Sequence, residues 1–153
     1  MITKKKRKPT RKQQLKKYDT KRSYLVKVRA GWMCEVDWCY RTTNLNSHHI
    51  FTRNNYSTRF DLDNGVCLCV WHHTFNNQFS AHRTPTEFTE RIKEKRWSKR
   101  YATLKLKANQ TWDKDYDKIK EYLDRKEKEL WIGSTTEQKN EWNISKWEWS
   151  HEI

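Results

Sequence analysis

The feature that most constrains this chain is a pair of half-sites, Cys34-x4-Cys39 and, some thirty residues on, Cys69-Val70-Trp71-His72. A Cys-x4-Cys loop is long enough for both thiolates to grip one ion, and Cys-x2-His meets the same tetrahedral demand. Either half alone is a weak signal. Together they predict that Cys34, Cys39, Cys69 and His72 hold a structural Zn²⁺, the alternative being four buried or idle cysteines. Cys67 is expected on the face of its strand opposite to Cys69, buried as a small apolar side chain.

Composition explains why a metal clamp would help. Of 153 residues, 34% are hydrophobic and 34% charged, so the core must be small for the length of chain. Bound zinc would supply stability that sparse apolar burial cannot. The length suits one compact domain with appendages. Four cysteines in a reducing compartment are more often ligands or buried thiols than disulfides. No run of about 18 apolar residues occurs, and Met1–Leu15 lacks the apolar segment of a secretory signal. The expectation is a soluble cytoplasmic protein with no membrane partner, monomeric by preference.

The formal net charge is +14, and residues 1–30 contribute most of it, with thirteen Lys and Arg against the single acid Asp19. Such a charge favours a polyanion through counterion release from phosphates. Nine Trp, seven Tyr and five Phe suit stacking on nucleic acid as well as packing, with packing the safer reading for any one ring.

Along the chain, residues 1–20 lack apolar periodicity and are expected to form a flexible basic arm. Tyr24, Leu25, Val28 and Ala30 predict a short helix from Lys21, closed at Gly31. Asn46–Phe51 and Gly65–Leu68 read as strands, and Val70 to about Phe79 as the start of a helix. Thr84-Pro85-Thr86-Glu87 has the form of a capped helix start, after which Phe88 and Ile92 share a face. Tyr101, Leu104 and Leu106 suggest a further short element. A helix over about Asp113–Leu130 should bury Tyr116, Ile119, Leu123 and Leu130, with Glu121 and Arg125 as an i,i+4 pair. Beyond Gly133 lies a polar segment carrying Trp142, Trp147 and Trp149. The division expected is arm 1–20, central domain 21–98 and helical extension 99–153.

A second set of residues threads through the first: His48-His49, Asn64 and His73. His73 lies about 100° further round its helix than His72 and can serve a different centre. On a strand His48 and His49 point to opposite faces unless the strand ends there. A neutral imidazole can accept a proton from water near pH 7, and a bound divalent ion can stabilise charge developing on a phosphate. An isolated His is usually a surface or capping residue, and His82 and His151 are read that way.

In type, order and spacing, Ser47-His48-His49-Ile50 followed by Asn64 and, eight intervening residues later, His73 resembles the His-Asn-His (HNH) endonuclease family over about Met33–Phe79. It looks especially like phage-encoded and homing-type members that add a cysteine zinc site. The resemblance implies a small α+β fold, a ββα-metal core with flanking helices, and cleavage of double-stranded DNA to 5′-phosphate and 3′-hydroxyl ends. His48 and His73 would be ligands of one catalytic divalent cation (Mg²⁺, Mn²⁺, Ni²⁺ or Zn²⁺) and His49 the general base. Asn64 would brace the loop presenting His49. His72 stands where family zinc sites commonly have Cys, and His48 where many members have Asp. Losing that negative charge shifts preference from Mg²⁺ toward Mn²⁺, Zn²⁺ or Ni²⁺. Arg41, Arg53, Arg59 and Arg83 bracket the set, and Arg53 and Arg59 are the preferred DNA-backbone contacts. The competing readings are a zinc-containing DNA-binding module that does not cut and an RNA nuclease.

Overall fold

The computed structural model describes residues 8–94, 97–112 and 115–133. The described residues form five α-helices and one two-stranded antiparallel sheet, a small mixed architecture compatible with α+β. Among the described residues no helix is long and apolar enough to cross a membrane.

Helix α1 spans Arg11–Arg29 and so begins ten residues before the apolar pattern that predicts it. Its start is set by a capping box: the Thr10 hydroxyl accepts from the Gln13 backbone N–H, and the Gln13 side chain accepts from the Thr10 N–H. Part of the expected flexible arm is therefore helical. Tyr18 and Arg22 extend the buried stripe of Leu25 and Val26 backwards, and Lys21 is held by Asp124 at 2.5 Å and Glu127 at 2.7 Å. Residues 1–7 lie outside the described residues.

Strands β1 (Leu45–His49) and β2 (Gly65–Cys69) pair with Leu45 opposite Cys69 and His49 opposite Gly65. Every residue of β2 is buried because both faces of the hairpin are covered. On one side Cys67 joins Leu25, Val26, Phe60 and Leu62 with Ile119 and Leu123. On the other Val66 and Leu68 join Phe88, Ile92 and Trp97. Gly65 is required by the close approach of α1: a Cβ there would lie 2.3 Å from Val26 Cγ2.

The connection between the strands holds the short helix α2 (Tyr56–Arg59) and a 3₁₀ turn (Leu62–Asn64). After β2 the expected helix over Val70–Phe79 is cut to a single π turn, Trp71–Phe75. Asn76 stops it, because its side-chain oxygen accepts from the Gln78 and Phe79 N–H groups and offers the backbone an alternative to the helix. Helix α3 (Pro85–Glu94) then begins at the proline, with Phe88 and Ile92 buried. Thr84 does not cap it in the expected way; its hydroxyl bridges back to both the N–H and the carbonyl of Ser80.

Helix α4 (Ser98–Ala108) buries Leu104 and leaves Leu106 71% exposed, so Leu106 is not part of that element's packed face. Helix α5 (Tyr116–Ile132) starts at an Asp115 cap and buries Ile119 and Leu123 against α1. Its ion pairs put Arg125 and Lys126 on Glu129, not Arg125 on Glu121 as the spacing suggests. Asp113 and residues 134–153, with the three late tryptophans, lie outside the described residues.

Candidate metal centres

Two clusters compatible with a metal ion meet at the adjacent residues His72 and His73. In the first, the ligand atoms of Cys34, Cys39, Cys69 and His72 lie within 4.8 Å of one another, and the group can hold a metal ion. Three local features gather them. The Cys34 N–H donates to the Arg41 carbonyl at 2.9 Å, which closes the first cysteine loop. β2 delivers Cys69 at its last residue, and the π turn swings His72 back over it.

The spacings suit a tetrahedral site. Cys34 Sγ and Cys69 Sγ are 3.5 and 3.4 Å from His72 Nδ1, and Cys39 Sγ is 3.9 Å from Cys69 Sγ. Bonds of about 2.3 Å to sulfur and about 2.0 Å to nitrogen at tetrahedral angles put ligand atoms roughly 3.5–3.8 Å apart. Burial pushes the Cys34 thiol up to about 12. At Cys69 burial acts in the same sense but is outweighed by the His72 N–H and the Cys34 and Cys39 thiols, so its pKa falls below the ordinary thiol value. Burial, then Arg41, lowers His72 and favours the neutral imidazole that a metal needs.

Cys67 is fully buried and lies apart from this group, packed with the α1 residues. The expected reason does not hold: residues two apart on a strand share a face. The separation comes from Cys69 being the last residue of β2, where the chain turns away.

In the second cluster the ring nitrogens of His48, His73 and His82 lie within 4.8 Å of one another and can also hold an ion. His73 Nε2 and His82 Nε2 are 3.2 Å apart, close to the spacing of two imidazole ligands on one tetrahedral ion, roughly 3.3 Å. The His48 ring sits edge-on to both, at centroid distances of 5.6 and 5.2 Å, and against Phe88. His82, read from sequence as a bland surface residue, is thus a member of the cluster. The chain doubles back after Asn76, and Ala81 and His82 donate backbone hydrogen bonds to the carbonyls of His72 and His73 at 2.9 and 3.2 Å. Nothing in the spacing from His73 to His82 announces that reversal; the Asn76 turn and the Pro85 helix start were its only traces. Burial, followed by the neighbouring His73 and His82, lowers His48 to about 3.

β1 ends at His49, which contacts Arg22 of α1, while His48 packs edge-on to Phe88 of α3. His49 Nε2 is 3.1 Å from the Arg59 carbonyl, which only accepts, and His49 Nδ1 is 3.4 Å from Arg22 Nη1, which only donates. Both contacts place the proton on Nε2 and the lone pair on Nδ1. Burial, then Arg22 and Arg53, lowers His49 to about 3, so it is neutral at physiological pH.

Asn64 is fully buried and spends its whole amide on one loop. Its Nδ2 donates to the carbonyls of Phe51 and Thr58 at 2.9 and 3.0 Å, and its Oδ1 accepts from the Phe51 N–H at 2.7 Å. The loop it closes carries the Arg59 carbonyl that orients His49.

The four arginines separate. Arg53 is exposed and near enough to influence His49. Arg83 is exposed beside His82 and donates to Asn77. Arg41 is exposed with its guanidinium 5.9 Å from the Trp71 ring. Arg59 differs from the other three: Asp19 of α1 binds its guanidinium through both oxygens, at 3.0 and 2.5 Å.

Sequence reasoning also missed Arg22. It is fully buried, donates to Ser47 Oγ at 3.0 Å, and its Nη2 has no hydrogen-bond partner among the described residues. Burial, then Arg29, pulls it down to about 9, which leaves it cationic at neutral pH. Its place in the basic first helix concealed it, since nothing in a run of Lys and Arg marks the one that turns inward.

Comparison with protein-family models, curated proteins and solved structures finds no match to this chain.

Proposed function

We propose that this protein is a metal-dependent endonuclease of the His-Asn-His type that hydrolyses DNA phosphodiester bonds on a zinc-stabilised ββα-metal core. The observation that carries the reading is the juxtaposition of a tautomer-locked imidazole, His49, with the three-histidine cluster on the other side of the same strand end.

In this reading the His49 Nδ1 lone pair exchanges its 3.4 Å contact with Arg22 Nη1 for the attacking water and takes that water's proton, while the Arg59 carbonyl keeps the ring from turning. Arrival of an anionic phosphate next to His49 opposes the depressing effect of Arg22 and Arg53 and raises its basicity when it is needed. Asn64 does no proton transfer; it fixes the loop that fixes His49. Arg53 and Arg83, both exposed, would hold the DNA backbone. His48, His73 and His82 would hold a divalent ion, which when bound would neutralise charge developing on a phosphate oxygen and the leaving 3′ oxygen. Cys34, Cys39, Cys69 and His72 would hold a structural Zn²⁺, since their spacing leaves no ligand position open.

Nicking of supercoiled plasmid DNA with added Mg²⁺, Mn²⁺ or Ni²⁺ tests the reading against His49→Ala. Metal-dependent nicking that falls by about 10²-fold or more in the variant, with DNA binding retained, is the expected result. Binding without cutting by the native chain under every metal would leave a zinc-containing DNA-binding module. Preferential cutting of RNA in direct competition would replace the substrate.

A further inference from the structure

The metal cluster of Cys34, Cys39, Cys69 and His72 carries more aromatic surface than its packing uses. Trp38, which precedes ligand Cys39, is 87% exposed, and Tyr40, which follows it, is 75% exposed. Trp71, between ligands Cys69 and His72, is 45% exposed and has the Arg41 guanidinium 5.9 Å from its ring. Trp38 also holds a φ of 67°, a conformation that a bulky residue adopts at a cost and glycine adopts freely. Chelation by the loop asks nothing of residue 38 except that backbone shape. Placing an exposed indole there is unfavourable on both counts unless the ring has a partner.

Charge indicates the class of partner. The chain carries a net +14, and the acids flanking the rings are already engaged, Glu35 by Arg29 at 3.2 Å and Asp37 by Arg91 at 3.7 Å. With those two acids paired, Arg41 adds a cation beside the Trp71 ring, which suits a polyanion that has π faces to offer. Bases within a duplex have those faces covered by their neighbours, whereas unpaired bases do not. Trp71 precedes His73 by two residues on one tight turn, so the aromatic surface adjoins the three-histidine cluster.

We infer that Trp38, Tyr40 and Trp71 form a base-stacking surface, and that the substrate of the neighbouring centre is DNA with unpaired bases next to the bond to be cut. The inference rests on the nuclease reading above for its substrate, and on the exposed rings for its own content.

The test uses the full metal-loaded chain in a His49→Ala background, so that DNA is not consumed, and compares Trp38→Ala and Trp38→Gly with the parent. Trp38→Gly suits the positive φ and keeps the loop folded; retained metal content checks this for both variants. Binding is measured to an oligothymidylate strand, a fully paired duplex of equal length and an oligouridylate strand. The expected result is about tenfold weaker binding to the thymidylate strand, with the duplex changed less than about twofold. Photocrosslinks from 5-iodouracil placed in the single strand should map to Trp38, Tyr40 or Trp71. Equal weakening on strand and duplex, no weakening, crosslinks confined to other residues, or tighter parental binding to the uridylate strand would each overturn the inference. Plasmid nicking by the native chain with Trp38 variants unchanged on every ligand would remove the stacking surface alone. Absence of both nicking and nucleic-acid binding would remove the nuclease reading with it.

Discussion

The two clusters are built from similar residue types and share the junction of His72 and His73, yet they differ in enclosure. In the first, Cys34 and Cys69 are 4% and 1% exposed, and four side chains offer donor atoms, which is enough to fill a tetrahedral ion. In the second, His82 is exposed, His48 and His73 are half-buried, and three donor atoms would leave a tetrahedral ion one position short. Closed four-ligand sites stabilise folds and open three-ligand sites do chemistry. A single residue step along one π turn separates the two clusters, because His72 turns toward the sulfurs while His73 turns toward His82.

If the contrast is sound, the largest effect comes from the closed cluster. Cys69→Ser, or chelation of the native chain, should abolish the cooperative thermal transition, because the core beside Cys34 and Cys69 is small and binding free energy there counts as folding free energy. Circular dichroism during a melt reads this, and an unchanged transition would show that the cluster is not structural. Next in size is Asn64→Ala, which strands the Phe51 N–H and the carbonyls of Phe51 and Thr58 and should cost roughly 2–4 kcal/mol in chemical denaturation. A cost below about 1 kcal/mol would mean that the loop holds without its brace.

His82→Ala should leave the melt unchanged but weaken binding of the second ion about tenfold or more, measured by calorimetry on zinc-loaded protein titrated with Mn²⁺ or Ni²⁺. Unaltered affinity would return His82 to the surface role its sequence suggests. The smallest effect separates the metals: with imidazole donors only, Mn²⁺ or Ni²⁺ should support nicking at lower concentration than Mg²⁺. A clear preference for Mg²⁺ would argue for an oxygen ligand that the His48, His73 and His82 group does not contain.

Much of this was legible in the sequence because it depends on short spacings. Cys-x4-Cys and Cys-x2-His constrain ligands through local chain geometry, and the strand pair with Asn64 at its turn follows from residues close in sequence. Asn64 could be assigned a bracing role because an amide does not titrate, and its three hydrogen bonds are within one loop. Helix α1 was mistaken for an arm over its first half because its stabilising features are a cap and two buried polar or amphipathic residues, Tyr18 and Arg22, which leave no apolar period.

What the sequence determined by itself is therefore the grouping of Cys34, Cys39, Cys69 and His72, the cationic character and the existence of the hairpin, all of which reside in residue type and near spacing. Only the tertiary structure decided that His82 joins His48 and His73, that Asp19 withdraws Arg59 from solvent, and that Arg22 lies buried against His49. Each of those contacts links segments whose meeting depends on how the hairpin, α1 and the turn before α3 pack. No local propensity records a contact whose closure is enforced by the burial of other residues.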